Sequence, residues 1–143
     1  MALLLVVEDD PLTAKVVQKV LTRMGGHEVK LAANPAGALQ ALEEHPIELI
    51  VMDVTLIDAT LNGEPVDGVK LTRHIRRDSR WRQVPVILAT AHAMSGDRER
   101  YLAEAQADDY IAKPIVDHHA FCAQIAALLA RKLEGAGRMP VGP

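Results

Sequence analysis

The chain has one cysteine and few aromatic residues, and each shortage excludes a class of protein. Cys122 has no second cysteine to pair with, so a disulfide framework is excluded. Four aromatic side chains are too few for a platform on which nucleic-acid bases stack; they are Trp81, Tyr101, Tyr110 and Phe121. With 16 basic and 19 acidic residues, the net charge of -3 gives no broad basic field. We therefore expect no nucleic-acid partner.

Long hydrophobic runs are also missing. The apolar stretch Met1–Val7 has no basic residues before it and acidic residues directly after it, and it is too short for a signal peptide or a membrane span. We expect a cytoplasmic protein that makes no membrane contact. The length of 143 residues predicts a single domain. We assign residues 1–134 to it and expect a disordered tail over the Gly- and Pro-rich residues 135–143.

Short β-type runs alternate with helical patterns along the chain. The predicted strands are Leu3–Val7, Glu28–Leu31, Glu48–Met52, Val84–Ala89 and Asp109–Ala112. The predicted helices run from Pro11 to about Gly25, Pro35 to Glu44, Val66 to Arg77, Gly96 to Gln106 and Asp117 to Leu133, the last ending near Gly135. This spacing is typical of parallel βαβ units and predicts a doubly wound α/β fold with a five-stranded parallel sheet.

Four of the predicted strands end in residues that handle charge. Glu8 and Asp9 follow the first strand, Asp53 follows the third, Thr90 follows the fourth and Lys113 follows the fifth. In a doubly wound sheet, ligands bind at the carboxyl ends of the strands, so these side chains are expected to converge. The second strand contributes no such residue, which fits the strand order 2-1-3-4-5, in which it lies at the edge.

The residue types at these strand ends predict phosphoryl transfer. Two carboxylates 4 Å apart repel by about 4 kcal/mol at an effective dielectric constant of 20, so Glu8, Asp9 and Asp53 need a compensating cation. Lys113 supplies one positive charge, and hard oxygen ligands favour Mg²⁺ for the rest. An Asp beside such a metal can act as a nucleophile and form an aspartyl-phosphate, whose oxygens Lys113 and the Thr90 hydroxyl would stabilise.

The sequence resembles a known family over residues 3–133. The motifs that carry the resemblance are VVEDDP at Val6–Pro11, LIVMD at Leu49–Asp53, VPVILATAH at Val84–His92 and DDYIAKP at Asp108–Pro114. Together they resemble the receiver domain of two-component response regulators, in the stand-alone, single-domain form. The segment Thr90–Leu102 resembles receivers of hybrid kinases and of phosphorelay regulators. The resemblance implies a flavodoxin-like (βα)5 three-layer sandwich.

The resemblance also implies a role for each strand-end residue. Asp53 would accept a phosphoryl group from a phosphohistidine on a sensor histidine kinase or a histidine phosphotransfer protein. Its catalytic partners would be Lys113 and Thr90, and Mg²⁺ would be held by Glu8, Asp9, Asp53 and the main-chain carbonyl of Thr55. Such a protein is a signalling phosphoacceptor that catalyses only its own phosphorylation and dephosphorylation.

Further positions would control the signal. Thr90 and Tyr110 would switch on phosphorylation and alter the face made by the fourth helix, fifth strand and fifth helix, where a downstream protein binds. Thr55 and His92 would border the attacking water and set the lifetime of the phosphate. A monomer or a weak homodimer is expected.

Besides Thr55 and His92 at the positions that border the attacking water, the sequence departs from the family pattern at two places. The usual Met-Pro turn after the phosphorylated Asp is absent, and Asp67-Gly68 arrives late, after Leu56–Val66. The extra segment, Thr55–Pro65, contains the turn signal Asn62-Gly63. The usual glycine before the Asp-Asp-Tyr segment is replaced in Gln106-Ala107.

Three alternatives stand beside the receiver interpretation. An Mg²⁺-dependent phosphatase of the haloacid dehalogenase type also uses an Asp nucleophile after a strand, but it needs a second Asp where this chain has Thr55. A flavin-binding module of the same topology needs a phosphate-binding loop where this chain has Glu8 and Asp9. A degenerate receiver that only docks would have lost charged residues that are all present here.

Overall fold

The computed structural model describes residues 1–91 and 97–138 as strands that alternate with helices. The strands are β1 (Leu3–Val7), β2 (Glu28–Ala32), β3 (Leu49–Asp53), β4 (Thr60–Leu61), β5 (Glu64–Pro65), β6 (Val86–Thr90) and β7 (Asp109–Ala112). The helices are α1 (Pro11–Arg23), α2 (Pro35–Glu44), α3 (Gly68–Arg77), α4 (Asp97–Ala105) and α5 (His118–Arg138). The predicted alternation is confirmed, with boundaries that differ by a few residues.

Five strands form one parallel sheet in the order β2-β1-β3-β6-β7. This is the predicted order 2-1-3-4-5, because β4 and β5 form a separate antiparallel pair. The register brings the strand ends to one level: Val7 lies opposite Met52, Asp53 opposite Ala89, and Thr90 opposite Ala112. Residues at the carboxyl ends of these strands are therefore neighbours.

The two faces of the sheet carry separate hydrophobic cores, because successive side chains of a strand point to opposite faces. One core combines strand residues such as Leu5, Met52 and Leu88 with buried residues of α2, α3 and α4. The other combines Val6 and Val51 with buried residues of α1 and α5. The fold is thus the predicted doubly wound three-layer sandwich.

Polar caps begin the first three helices. Asp10 caps α1 and accepts from the Thr13 N–H, with Pro11 at the first helical position. Asn34 caps α2 and Asp67 caps α3, each accepting from a backbone N–H of its first turn at 2.8 Å. These caps satisfy donors that the helices leave unpaired and fix where the chain turns after β1, β2 and β5.

The extra segment between β3 and α3 is a β-hairpin that leaves the sheet and returns to it. Asn62 (φ 53°) and Gly63 (φ 82°) form the tip, as expected for a two-residue turn that needs positive φ at both positions. On return, Gly68 passes so close to β3 that a Cβ would lie 2.0 Å from the Asp53 carbonyl oxygen. Asp67 and Gly68 therefore start α3 directly against β3. The additional residues between β3 and α3 form the hairpin.

A buried arginine connects the C-terminal end of α3 to the loop before β7. Arg76 donates to the Asp108 carboxylate at 2.8 Å and to the Gln106 carbonyl at 2.9 Å. It also donates to the carbonyls of Trp81, Arg82 and Val84. We call these six residues the Arg76 cluster. In the pair Gln106-Ala107, where the resemblance predicts a glycine, Gln106 has φ 58°, the left-handed conformation that favours glycine.

The end of the last helix differs from the prediction. Helix α5 continues to Arg138, past Gly135, because a glycine costs a helix only about 1 kcal/mol and does not by itself end it. Residues 139–143 lie outside the described residues, so a disordered tail there stays a prediction. Within 1–91 and 97–138, every helix is too short or too polar to cross a membrane.

Candidate functional site

Three carboxylates meet at the carboxyl ends of β1 and β3. Glu8, Asp9 and Asp53 each offer one oxygen, and these oxygens lie within 4.8 Å of one another. Glu8 is 6% exposed and Asp53 is 3% exposed, whereas Asp9 is half-buried. The convergence predicted from the strand ends is confirmed for these three residues.

Lys113 reaches the same point from the end of β7. Its Nζ donates to Glu8 Oε1 at 2.6 Å and to Asp53 Oδ1 at 3.2 Å. Its backbone N–H donates to the Thr90 carbonyl at 2.8 Å, and the Lys113–Pro114 peptide bond that follows is cis. The lysine is thus fixed beside both buried carboxylates, and its shorter hydrogen bond goes to Glu8.

The electrostatics of this cluster are unbalanced. Burial, together with the hydrogen bond and charge of Asp53, raises the pKa of Glu8 to about 7, although the Lys113 hydrogen bond opposes the shift. Burial acts to lower the pKa of Lys113, but its hydrogen bond to Glu8 and the charges of Asp53 and Glu8 outweigh burial and raise it. Three carboxylates around one ammonium leave a deficit of positive charge among the residues that the structure describes. The set of hard oxygen donors fits a divalent ion such as Mg²⁺.

The segment that follows β3 holds two of the carboxylates through backbone N–H groups. The Thr55 N–H donates to Asp53 Oδ1 at 3.2 Å, and the Ile57 N–H donates to Asp9 Oδ2 at 2.7 Å. Sequence reasoning did not find Ile57. The signal that could have pointed to Ile57 is the absence of the Met-Pro turn after Asp53. A residue that stands in place of proline keeps its backbone N–H, which can donate to a carboxylate.

The two predicted switch residues, Thr90 and Tyr110, lie on β6 and β7. Thr90 is fully buried at the end of β6, one residue after the Ala89 that pairs with Asp53. The Tyr110 ring stacks on Tyr101 of α4, with centroids 6.4 Å apart, and its carbonyl accepts from Gln124 of α5 at 2.8 Å. Tyr110 thus joins α4 to α5. His92 lies outside the described residues.

A cleft of about 430 Å³ between α1 and α5 opens at the site. Its walls are mainly apolar, and Glu8, Asp53 and Lys113 lie among its lining residues. Although Asp53 is nearly buried, it therefore borders a space that small molecules can enter.

Comparison with known proteins gives a consistent result. The "Response regulator receiver domain" family matches residues 4–126. The polar-differentiation response regulator DivK of Brucella anthropi is 34% identical over 78% of this chain and 83% of its own length. The signal transduction histidine-protein kinase BarA of Shigella flexneri is 34% identical over 92% of this chain. The chain spans only 13% of BarA.

A solved structure is similar in sequence and in fold. The receiver domain of the sensor histidine kinase PA1611 from Pseudomonas aeruginosa is 32% identical, with a TM-score of 0.70, over 93% of this chain and 98% of that chain. Nothing in these comparisons supports the haloacid dehalogenase alternative. The strand order, the charged strand ends and the family match agree, and this chain belongs to the response regulator receiver domain family.

Proposed function

We propose that Asp53 is the residue that accepts the phosphoryl group. The observation that carries this assignment is its position: a buried carboxylate at the end of β3, hydrogen-bonded to Lys113 and within 4.8 Å of oxygens of Glu8 and Asp9. A carboxylate oxygen of Asp53 attacks the phosphorus of a phosphohistidine. The bond between phosphorus and the imidazole nitrogen breaks, and the imidazole leaves with the bonding electron pair.

Mg²⁺ is the metal of this site. Glu8, Asp9 and Asp53 would hold it through carboxylate oxygens, and Thr55 through its main-chain carbonyl. The PA1611 receiver, described with a magnesium ion coordinated in its active site cleft, supports this choice. When bound, the ion neutralises the carboxylates and the charge on the phosphoryl oxygens.

Lys113 and Thr90 complete the catalytic set. Lys113 holds its ammonium beside Asp53 and so supplies a fixed positive charge toward the phosphoryl group. Thr90, at the end of the adjacent strand, supplies a hydroxyl donor to the same group. Thr55 and His92 border the water that later hydrolyses the aspartyl-phosphate, and they set its lifetime. The chain thereby catalyses its own phosphorylation and dephosphorylation and no other reaction.

Signalling proceeds through the surface formed by α4, β7 and α5. Movement of Thr90 toward the phosphoryl group lets Tyr110 change rotamer, which alters its contacts with Tyr101 and this surface. A downstream protein binds there. The phosphodonor is a sensor histidine kinase, of which BarA is an example by name, or a histidine phosphotransfer protein, in the cytoplasm.

The test is incubation with acetyl phosphate and Mg²⁺, with covalent phosphate measured by intact-protein mass spectrometry. The parent protein is expected to gain one phosphoryl group, and Asp53→Asn to lose roughly 100-fold or more of the uptake rate, because the amide is a far weaker nucleophile. Asp58→Asn, in the same loop, is the matched control and should keep the parent rate. Equal labelling of Asp53→Asn and the parent would reject Asp53 as the acceptor.

A further inference from the structure

The extra segment after β3 contacts the acidic cluster, which consists of Glu8, Asp9, Asp53 and Lys113, through the backbone N–H groups of Thr55 and Ile57. The Ile57 N–H donates to Asp9 Oδ2 at 2.7 Å across 48 positions of sequence. Asp9 is the most exposed of the three carboxylates, because it is half-buried whereas Glu8 and Asp53 are buried. A charge-assisted hydrogen bond of this length restricts which way such a carboxylate points.

The segment itself is anchored on both sides of Ile57. Leu56 is 7% exposed and belongs to the core that contains Met52 and Leu88. After Ile57, the Val66 N–H donates to the Ala59 carbonyl at 3.0 Å and closes the base of the hairpin. The N–H of Ile57 is therefore held in place by its neighbours, while its own side chain is 72% exposed. Its backbone and its side chain can be tested separately.

We propose that Ile57 is a positioning residue for the metal site. Its N–H fixes the orientation of the Asp9 carboxylate, which would hold Mg²⁺ together with Glu8 and Asp53, so part of the ordering of this ligand precedes metal binding. Because linkage is reciprocal, bound Mg²⁺ must in turn stabilise the contact between Asp9 and the segment 55–59. The inserted hairpin then responds to metal occupancy. This inference rests on the proposed Mg²⁺ site.

The test compares Ile57→Pro, which removes the N–H, with Ile57→Ala, which keeps it. Mg²⁺ affinity is measured by isothermal titration calorimetry after circular dichroism has shown that each variant is folded. We expect Ile57→Pro to weaken Mg²⁺ binding by roughly 10-fold or more and Ile57→Ala to stay within about twofold of the parent. Equal affinities of Ile57→Pro and the parent, or equal losses in both variants, would overturn the positioning role.

Amide hydrogen exchange of the parent protein supplies a second measurement that needs no variant. Exchange at Ile57 should slow on addition of saturating Mg²⁺, and an unchanged exchange rate would overturn the inference even if Ile57→Pro does not fold.

Failure of the proposed function would give a different combination of results for the parent protein. A parent that takes no phosphate on Asp53 and binds no Mg²⁺ would reject both proposals, whereas a parent that does both, with an indifferent Ile57 amide, would reject only this one.

Discussion

Among the residues that the structure describes, buried charged side chains lie in two groups, and the two groups differ in their balance of charge. In the Arg76 cluster, one guanidinium donates to four carbonyls and one carboxylate, so its hydrogen-bonding capacity is used within the protein. In the acidic cluster of Glu8, Asp9, Asp53 and Lys113, three carboxylates lie close together and the one ammonium pairs with two of them, Glu8 and Asp53. The first cluster is balanced by its own partners, whereas the second has more carboxylates than cations among the residues that the structure describes.

The difference separates a structural role from a functional one. A buried charge whose partners are all present fixes the chain, as Arg76 fixes the loop before β7. In the buried cluster that keeps an excess of negative charge, the pKa of Glu8 is raised, and a raised pKa of this kind is typical of functional sites. Charge balance distinguishes these two sites where burial alone does not, since Arg76, Glu8 and Asp53 are all buried.

The strongest test of the comparison replaces Arg76. Arg76→Met should lower the free energy of unfolding by about 3 kcal/mol, because the carbonyls and Asp108 lose their donor, and phosphate uptake by the folded protein should be unchanged. Denaturant unfolding and acetyl phosphate labelling measure the two effects. Arg73→Met, at an exposed position of the same helix, is the control and should stay within about 0.5 kcal/mol. Loss of uptake in folded Arg76→Met would break the distinction.

A pH series should reveal the imbalance of the acidic cluster. In the metal-free protein the pKa of Glu8 is about 7 against an ordinary 4.5, so between these values the folded state binds more protons than the unfolded state. Stability should therefore fall as pH rises from 4.5 through 7, by on the order of 3 kcal/mol, and then level off. Thermal unfolding in EDTA measures it. Glu8→Gln should flatten the profile, and an equally steep profile in Glu8→Gln would assign the slope to another group.

Removing one carboxylate should relieve the same imbalance. Asp53→Ala is expected to raise the stability of the metal-free protein by about 1 kcal/mol, because it removes a like charge beside Glu8. Added Mg²⁺ should then stabilise the parent by about 2.7 kcal/mol at 100 times its dissociation constant, and Asp53→Ala by clearly less. Differential scanning calorimetry with and without Mg²⁺ gives both values. Equal shifts in the two proteins would count against a shared metal site.

The smallest expected effect concerns the loop that the Arg76 cluster holds. Gln106 has φ 58°, a conformation that costs a residue with a side chain about 1 to 2 kcal/mol, and glycine would relieve this at an entropic cost of roughly 0.5 to 1 kcal/mol. Gln106→Gly should therefore stabilise the protein by about 0.5 kcal/mol in denaturant unfolding. Gln106→Ala, which keeps a Cβ, should not. Destabilisation by glycine would show that the Gln106 side chain contributes more than its backbone strain costs.

Local rules account for how well the elements were predicted. The turn at Asn62-Gly63 was identified without a fold because its two residues are adjacent in sequence. The caps that the structure shows at Asp10 and Asn34 are equally local, since each accepts from a backbone N–H three residues later. The predicted end of α5 was wrong because a glycine only weakens a helix. A local rule cannot say when the other residues of the helix outweigh the cost of that glycine. The hairpin was predicted only as a turn, since its return to β3 depends on contacts of Gly68 with Asp53 and Val54.

The sequence by itself determined the strand order and which charged residues meet, because parallel strands place their carboxyl ends at one edge and the motifs lie at those ends. Only the tertiary structure decided how these residues pair. The hydrogen bond of Lys113 to Glu8 spans 105 positions, and that of Ile57 to Asp9 spans 48. The burial of Arg76 and the raised pKa of Glu8 likewise depend on which distant groups surround each charge, a property of the packed chain that no local pattern contains.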